Sequence, residues 1–188
     1  KISVDSASLM NKILESLEAQ QLFFLEQKKI EIIIHPESLV HAIIEFNNGL
    51  IKIVAHETTM KIPIFNTLFH GSDKKFHTKD IDIKTLNNLN FKKVDVKKYP
   101  MVKLLKYLPI KSSLYETIIV SANDTLVELF LEKKIKFTDI QKNLFKLLKK
   151  KEFLKYKKIH AKNTNDIIKL NKYVRLKLLE KVYKSTVI

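Results

Sequence analysis

The sequence predicts an α+β fold: a helix-backed small β-sheet, then a connecting segment, then an α-helical bundle. Three observations predict it. Runs rich in β-branched residues cluster between positions 30 and 56 and share one Asn-Asn-Gly turn. Helical periodicity marks residues 8–25 and returns from Met101 to the end. The stretch between 57 and 99 is weakly patterned and punctuated by Pro63, Gly71 and an Asn-rich patch at Asn87, Asn88 and Asn90. The corresponding division is 1–70, 71–98 and 99–188.

In the first helix, a step of about 100° per residue gathers Ser8, Asn11, Lys12, Glu15 and Glu18 in one arc. Leu9, Met10, Ile13, Leu14, Leu17 and Phe24 take the other side, expected to face a core. Asp5, Ser6 and Ser8 are candidate caps. IEIII (30–34), LVHAIIEF (39–46) and LIKIVAHE (50–57) read as strands. The second and third form a hairpin around Asn47, Asn48 and Gly49. Beyond the connecting segment, helices are expected over 101–108, 115–132, 138–149 and 163–184. Asn123, Asp124 and Thr125 interrupt the second of these with polar residues, and Thr138 resembles the N-cap of the third.

Composition narrows the function classes. The chain of 188 residues is long enough for one domain or two small ones. No apolar run reaches the ~18–20 residues of a membrane helix, and no basic-then-apolar leader opens the sequence; a cytoplasmic protein is expected. There is no cysteine, which excludes disulfides and thiolate metal sites. The net charge of +15 raises nucleic acid as a partner. Only Arg175 among the 35 basic residues is arginine, however, and base- and phosphate-forking surfaces favour arginine. The lysines at 149–151 and 155–158 read as a solvated helix face, and nucleic acid is not the expected partner. The chain begins with Lys1 and is expected to be a processed product or a piece of something longer.

The polar arc of the first helix admits two readings. A surface helix commonly presents Ser, Asn, Lys and Glu together. The same residues suit a phosphate: a helix N-terminus offers unpaired N–H groups, Ser6 a hydroxyl, Asn11 an amide and Lys12 a compact positive charge. Glu15 lies one turn beyond Asn11 and suits a hard divalent cation, although one carboxylate is not a metal site. His35 and His41 have no partner at metal-ligand spacing and read as hydrogen-bonded structural histidines. The two glycines, Gly49 and Gly71, lie too far apart to form a P-loop or a G-x-S-x-G motif, and a G-x-G-x-x-G motif needs three.

An ordered series of motifs shifts the balance toward the second reading. KISVDSASLMNKILESLEAQQLF (1–23), then IEIIIHPESLVHAIIEF (30–46), resembles the catalytic domain of the 1-deoxy-D-xylulose 5-phosphate reductoisomerases, with their VDSAT-x-MNK-G-LE-x-IEA and HP-x-S-x-x-H patterns. The likeness continues through MKIPI (60–64), YPMVKLLKY (99–107), SANDTLVELFLEKKIKFTDI (121–140) and the final helix. It covers nearly the whole chain, at about the C-terminal half of a family member. The resemblance implies that Ser6, Asn11 and Lys12 hold the substrate's phosphate and hydroxyls, and that Glu15 is the third carboxylate ligand of a divalent metal (Mn2+, Mg2+ or Co2+). It places Lys12 and Glu15 in the catalytic machinery. Ser38, His41 and Met60 match supporting positions near the substrate. It also implies NADPH as hydride donor, 2-C-methyl-D-erythritol 4-phosphate as product for isoprenoid synthesis, and a homodimer formed through the sheet.

The same resemblance says what to expect elsewhere. The family's NADPH-binding Rossmann domain, its other two metal carboxylates and its tryptophan-bearing loop lie upstream, so this chain alone is expected to be inactive. Ile13 stands where the family has glycine, HETTMKIPI (56–64) replaces G-x-P-D-M-R-x-P-I, Phe69-His70 replaces Trp-Pro, and Asp124 replaces Glu in A-x-N-E. Such departures fit a relaxed sequence. Two other readings remain: a catalytically dead remnant that only folds and dimerises, and a lysine-rich nucleic-acid binder.

Overall fold

The structure is a computed structural model that describes residues 1–186, with side chains described to Val182. It is α+β, and it resolves into two compact units, Lys1–Glu31 with Asp95–Ile188, and Ile32–Val94. The opening helices therefore group with the C-terminal helices rather than with the strands, a division that differs from one drawn at 70 and 98. The reason is apolar burial: Met10, Ile13 and Leu17 belong to the same core as Met101, Leu104 and Leu126.

In the first unit, α2 (Met10–Phe23) stands where one helix over 8–25 was predicted, and Asp5, Ser6 and Ser8, read as its caps, lie instead within a separate helix, α1 (Ile2–Ser8). Leu9 breaks them with a left-handed φ of 60°. The Ser8 hydroxyl reinforces the break by donating to the Val4 and Asp5 carbonyls and accepting from the Met10 N–H. Phe24 does not face the core; it ends α2 with φ 53° and is 92% exposed. A 3-10 helix, Pro100–Tyr107, replaces the α-helix predicted at 101–108 and turns Met101 and Leu104 inward.

Helix α5 (Leu114–Leu131) is the centre of the bundle. Ser113 caps it: its hydroxyl accepts from the Tyr115 N–H at 3.1 Å, and the Glu116 carboxylate accepts from the Ser113 N–H at 3.0 Å. The helix runs unbroken through Asn123, Asp124 and Thr125, contrary to the predicted interruption. Thr125 satisfies its hydroxyl on the Ser121 carbonyl one turn back. Against α5 lie α6 (Phe137–Leu148), the short α7 (Lys151–Leu154) and α8 (Thr164–Thr186). The N-cap of α6 is Lys136, not Thr138, and the Asp139 carboxylate accepts from the Lys136 N–H at 3.0 Å. The Tyr115 hydroxyl reaches the C-terminal end of α6 and donates to the Leu148 carbonyl at 3.0 Å.

In the second unit, β2 (Val40–Glu45) and β3 (Ile51–Ala55) form the predicted hairpin, and Gly49 supplies the positive φ its turn needs. The first predicted strand shrinks to β1 (Ile33–Ile34) and pairs with β4 (Lys92–Lys93) instead of with the hairpin. Between them come α3 (Lys61–Leu68) and α4 (Ile83–Asn87). Side chains on both faces of β2 and β3 are exposed, among them Ile43, Ile44, Ile51 and Ile53.

Candidate functional site

The predicted site residues fall in two places, one in each unit. In the first unit, Ser6 is exposed on α1 and Asn11, Lys12 and Glu15 follow on the first turns of α2. The Lys12 ammonium lies 2.8 and 3.0 Å from the two Glu15 carboxylate oxygens. The Asn11 amide approaches the same carboxylate at 3.5 Å. Both charged groups are about half exposed, so their ion pair is weak and exchangeable. The Asn11 side-chain oxygen is shielded from solvent and has no hydrogen-bond partner. The half-exposed Lys12 ammonium beside it is the group available to a phosphate. The α1–α2 segment thus offers a cation, an anion, an amide and a hydroxyl within one stretch of two short helices.

Ile13, where the family pattern has glycine, is fully buried on the opposite side of α2. Its bulk fills the core and does not crowd Asn11 or Lys12. The backbone under the site is fastened elsewhere. Asp5, the one buried residue of α1, accepts a hydrogen bond at 2.9 Å from the side-chain amide of Asn123 on α5. Lys1 pairs with the adjacent Asp124 at 2.6 Å. Sequence reasoning gave Asp5 a capping role and treated Asn123 as an interruption. The signal that identifies Asn123 is a polar residue on a helix whose neighbouring positions are core, whereas α1 gives no such signal for Asp5.

In the second unit, His41 lies at an irregularity of the hairpin register between Val40 and Ala42. Its ring stacks on His56 with centroids 3.7 Å apart, and its Nε2 donates to the His56 carbonyl at 3.2 Å. Ser38 turns the chain into β2 with φ 55°, and Met60, at the head of α3, is exposed. His35 is held by structural contacts: Nδ1 lies 2.8 Å from the Asn90 carbonyl and 3.0 Å from the Glu37 carboxylate, and the ring stacks on Phe91. Asn90 in turn holds Glu37, and its amide keeps that carboxyl below the usual range. Among the described residues, no cluster of three or more His, Cys, Asp or Glu side chains is arranged to hold a metal ion.

Comparison with known proteins decides the family. Residues 56–177 match the family profile of the DXP reductoisomerase C-terminal domain. The chain belongs to the DXP reductoisomerase family. It is 53% identical over 178 residues to the 1-deoxy-D-xylulose 5-phosphate reductoisomerase of Pelagibacter ubique (strain HTCC1062), covering 95% of this chain and 46% of that one. The reductoisomerase of Aquifex aeolicus (strain VF5) is 39% identical over 140 residues, 74% of this chain and 37% of its own length. Among solved structures, a DOX-P reductoisomerase in complex with NADPH, fosmidomycin and magnesium matches with a TM-score of 0.86 at 31% identity, over 97% of this chain and 46% of that one. The reductoisomerase from Zymomonas mobilis in complex with NADPH matches with a TM-score of 0.81 at 29% identity, over 97% of this chain and 47% of that one. The chain therefore spans about half the length of the DXP reductoisomerases it matches. No helix among the described residues is long and apolar enough to cross a membrane.

Proposed function

We propose that the chain is the C-terminal half of a reductoisomerase that converts 1-deoxy-D-xylulose 5-phosphate to 2-C-methyl-D-erythritol 4-phosphate with NADPH and a divalent metal ion. The observation that carries this reading is the exposed wall of Ser6, Asn11, Lys12 and Glu15 in a member of this family. Ser6 and Asn11 would bind the phosphate and hydroxyls of the substrate, the latter through its amide. Lys12 would exchange its contact with Glu15 for the phosphate, because a compact ammonium on a flexible stem turns between anions at little cost. Glu15, released from Lys12, would supply one oxygen to the cation, for which a carboxylate is a fitting donor. When bound, the cation polarises the substrate's ketone and NADPH supplies the hydride. Ser38, His41 and Met60 match positions of the family pattern and are proposed in supporting roles near the substrate.

One carboxylate does not make a metal site, and no phosphate-cradling glycine motif is present for a dinucleotide. The 188-residue chain alone is therefore expected to show no NADPH oxidation. We further infer that the exposed hairpin is covered by a second copy of the protein.

The test is a chimera in which this chain replaces the matching segment of the Pelagibacter relative. It should turn over 1-deoxy-D-xylulose 5-phosphate, and Glu15→Gln should lower kcat/KM by about a hundredfold or more. Full activity in that variant would defeat the assignment of Glu15. A folded but inactive chimera would favour the remnant that only dimerises.

A further inference from the structure

We propose that Asn123 is a positioning residue for the Ser6–Asn11–Lys12–Glu15 wall, acting through Asp5 on the turn at Leu9. The proposal rests on the reading of that wall as the phosphate-binding face. Helix α1, which carries Ser6, has almost no apolar anchor. Ile2 is exposed, Val4 is half-buried, and Asp5 is its one buried residue. Hydrophobic packing therefore does not orient α1. A polar bond does: the Asn123 amide, 1% exposed in the middle of α5, donates to the Asp5 carboxylate at 2.9 Å. The Lys1–Asp124 ion pair adds a second, more exposed tie between the same two helices.

The turn between α1 and α2 makes this bond consequential. Leu9 sits at φ 60°, ψ 19°, a left-handed conformation that costs a leucine about 1–2 kcal/mol. A residue stays there only when its surroundings over-determine it. On the far side, Met10 and Ile13 are fully buried and hold α2. On the near side, the Asp5–Asn123 bond and the Lys1–Asp124 pair tie α1 and its N-cap to α5. The angle between the Ser6-bearing helix and the helix bearing Asn11, Lys12 and Glu15 is thus set at Leu9 and clamped from α5. Without Asn123, Asp5 becomes a buried acceptor with no partner, α1 turns to rehydrate it, and Ser6 shifts relative to Lys12 and Asn11.

The experiment uses the active chimera described above, with Glu15→Gln as the control for the wall itself. Asn123→Leu should raise KM for 1-deoxy-D-xylulose 5-phosphate about tenfold or more, because a displaced binding group is lost from ground and transition states alike. KM for NADPH should stay within about twofold. The exchange Asp5→Asn with Asn123→Asp restores a donor and an acceptor across the same gap and should recover most of the loss. A fall in kcat that tracks the folded fraction, with substrate KM unchanged, would overturn the proposal. So would failure of the exchange to recover binding in a folded protein. Should Asn123→Leu not yield folded protein, Asn123→Ser carries the same comparison. If Glu15→Gln is fully active, the reading of the wall falls first; if it is inactive while Asn123→Leu binds normally, only the positioning role falls.

Discussion

Phe24 illustrates how a single residue can satisfy a sequence pattern and still be misplaced by it. Its spacing from Leu17 puts it on the apolar side of a continuous helix, yet α2 ends at Phe23, and Phe24 takes the left-handed conformation that terminates helices. That conformation is strained for any residue with a Cβ, and the ring gains nothing for it, being 92% exposed. Phe24→Gly should therefore stabilise the 188-residue chain by about 0.5–1 kcal/mol, the left-handed cost removed exceeding the extra unfolded-state entropy of glycine. The urea midpoint would rise, whereas Phe24→Ala, which keeps the strain, would not raise it. A Gly variant no more stable than the Ala variant would show that the turn is not strained. Lys12 and Glu15 were legible in a different way. Their spacing placed them together correctly, but spacing could not distinguish a ligand wall from an ordinary surface pair. The proposal of a ligand wall rests on the ordered motifs of the family rather than on that spacing.

Elements held by local sequence were legible, and those held by distant partners were not. The β2–β3 hairpin follows from an Asn-Asn-Gly turn between β-branched runs, and α5 from its helical periodicity. The β1–β4 pair joins Ile33 to Lys93, two-residue strands with no local period to reveal them. The Leu9 break is similar, because no glycine or asparagine marks the left-handed position in the sequence. Tyr115 shows how firmly the bundle elements are joined. Burial, with a smaller contribution from Tyr107, pushes its phenol from 10.0 up to about 12. The unfolded phenol ionises first, so the unfolded state binds fewer protons between pH 10 and 12. The stability Tyr115 contributes is fully present below pH 10 and is lost as pH rises toward 12. Tyr115→Phe removes the bond to Leu148 and should cost about 1 kcal/mol at neutral pH. It should also flatten the fall in stability on the alkaline side. Parallel pH profiles for the two proteins would show that this phenol is not coupled to folding.

At the scale of the whole molecule, the lysine excess is a load that the fold carries. The net charge is +15, and the single arginine, Arg175, is engaged with Glu128. Lys181 on α8 donates to Asn143 at 2.7 Å, and burial, then Lys146, then Lys150 lower its affinity for a proton. A lysine whose folded value lies below its unfolded value of 10.5 opposes folding while the unfolded chain is protonated, and that opposition fades as pH rises toward 10.5. Self-repulsion of this kind is screened by salt, with a Debye length falling from about 10 Å at 0.1 M to about 3 Å at 1 M. Raising the salt concentration should therefore raise the melting temperature of this chain, measured in chloride to separate screening from the preferential exclusion of sulfate. Lys146→Glu should act in the same direction without added salt. It removes one positive charge from beside Lys181 and should add a few tenths of a kcal/mol while lessening the salt dependence. A melting temperature that does not rise with chloride would mean that the lysines are already far enough apart to be individually solvated, and Lys146→Glu would then leave stability unchanged.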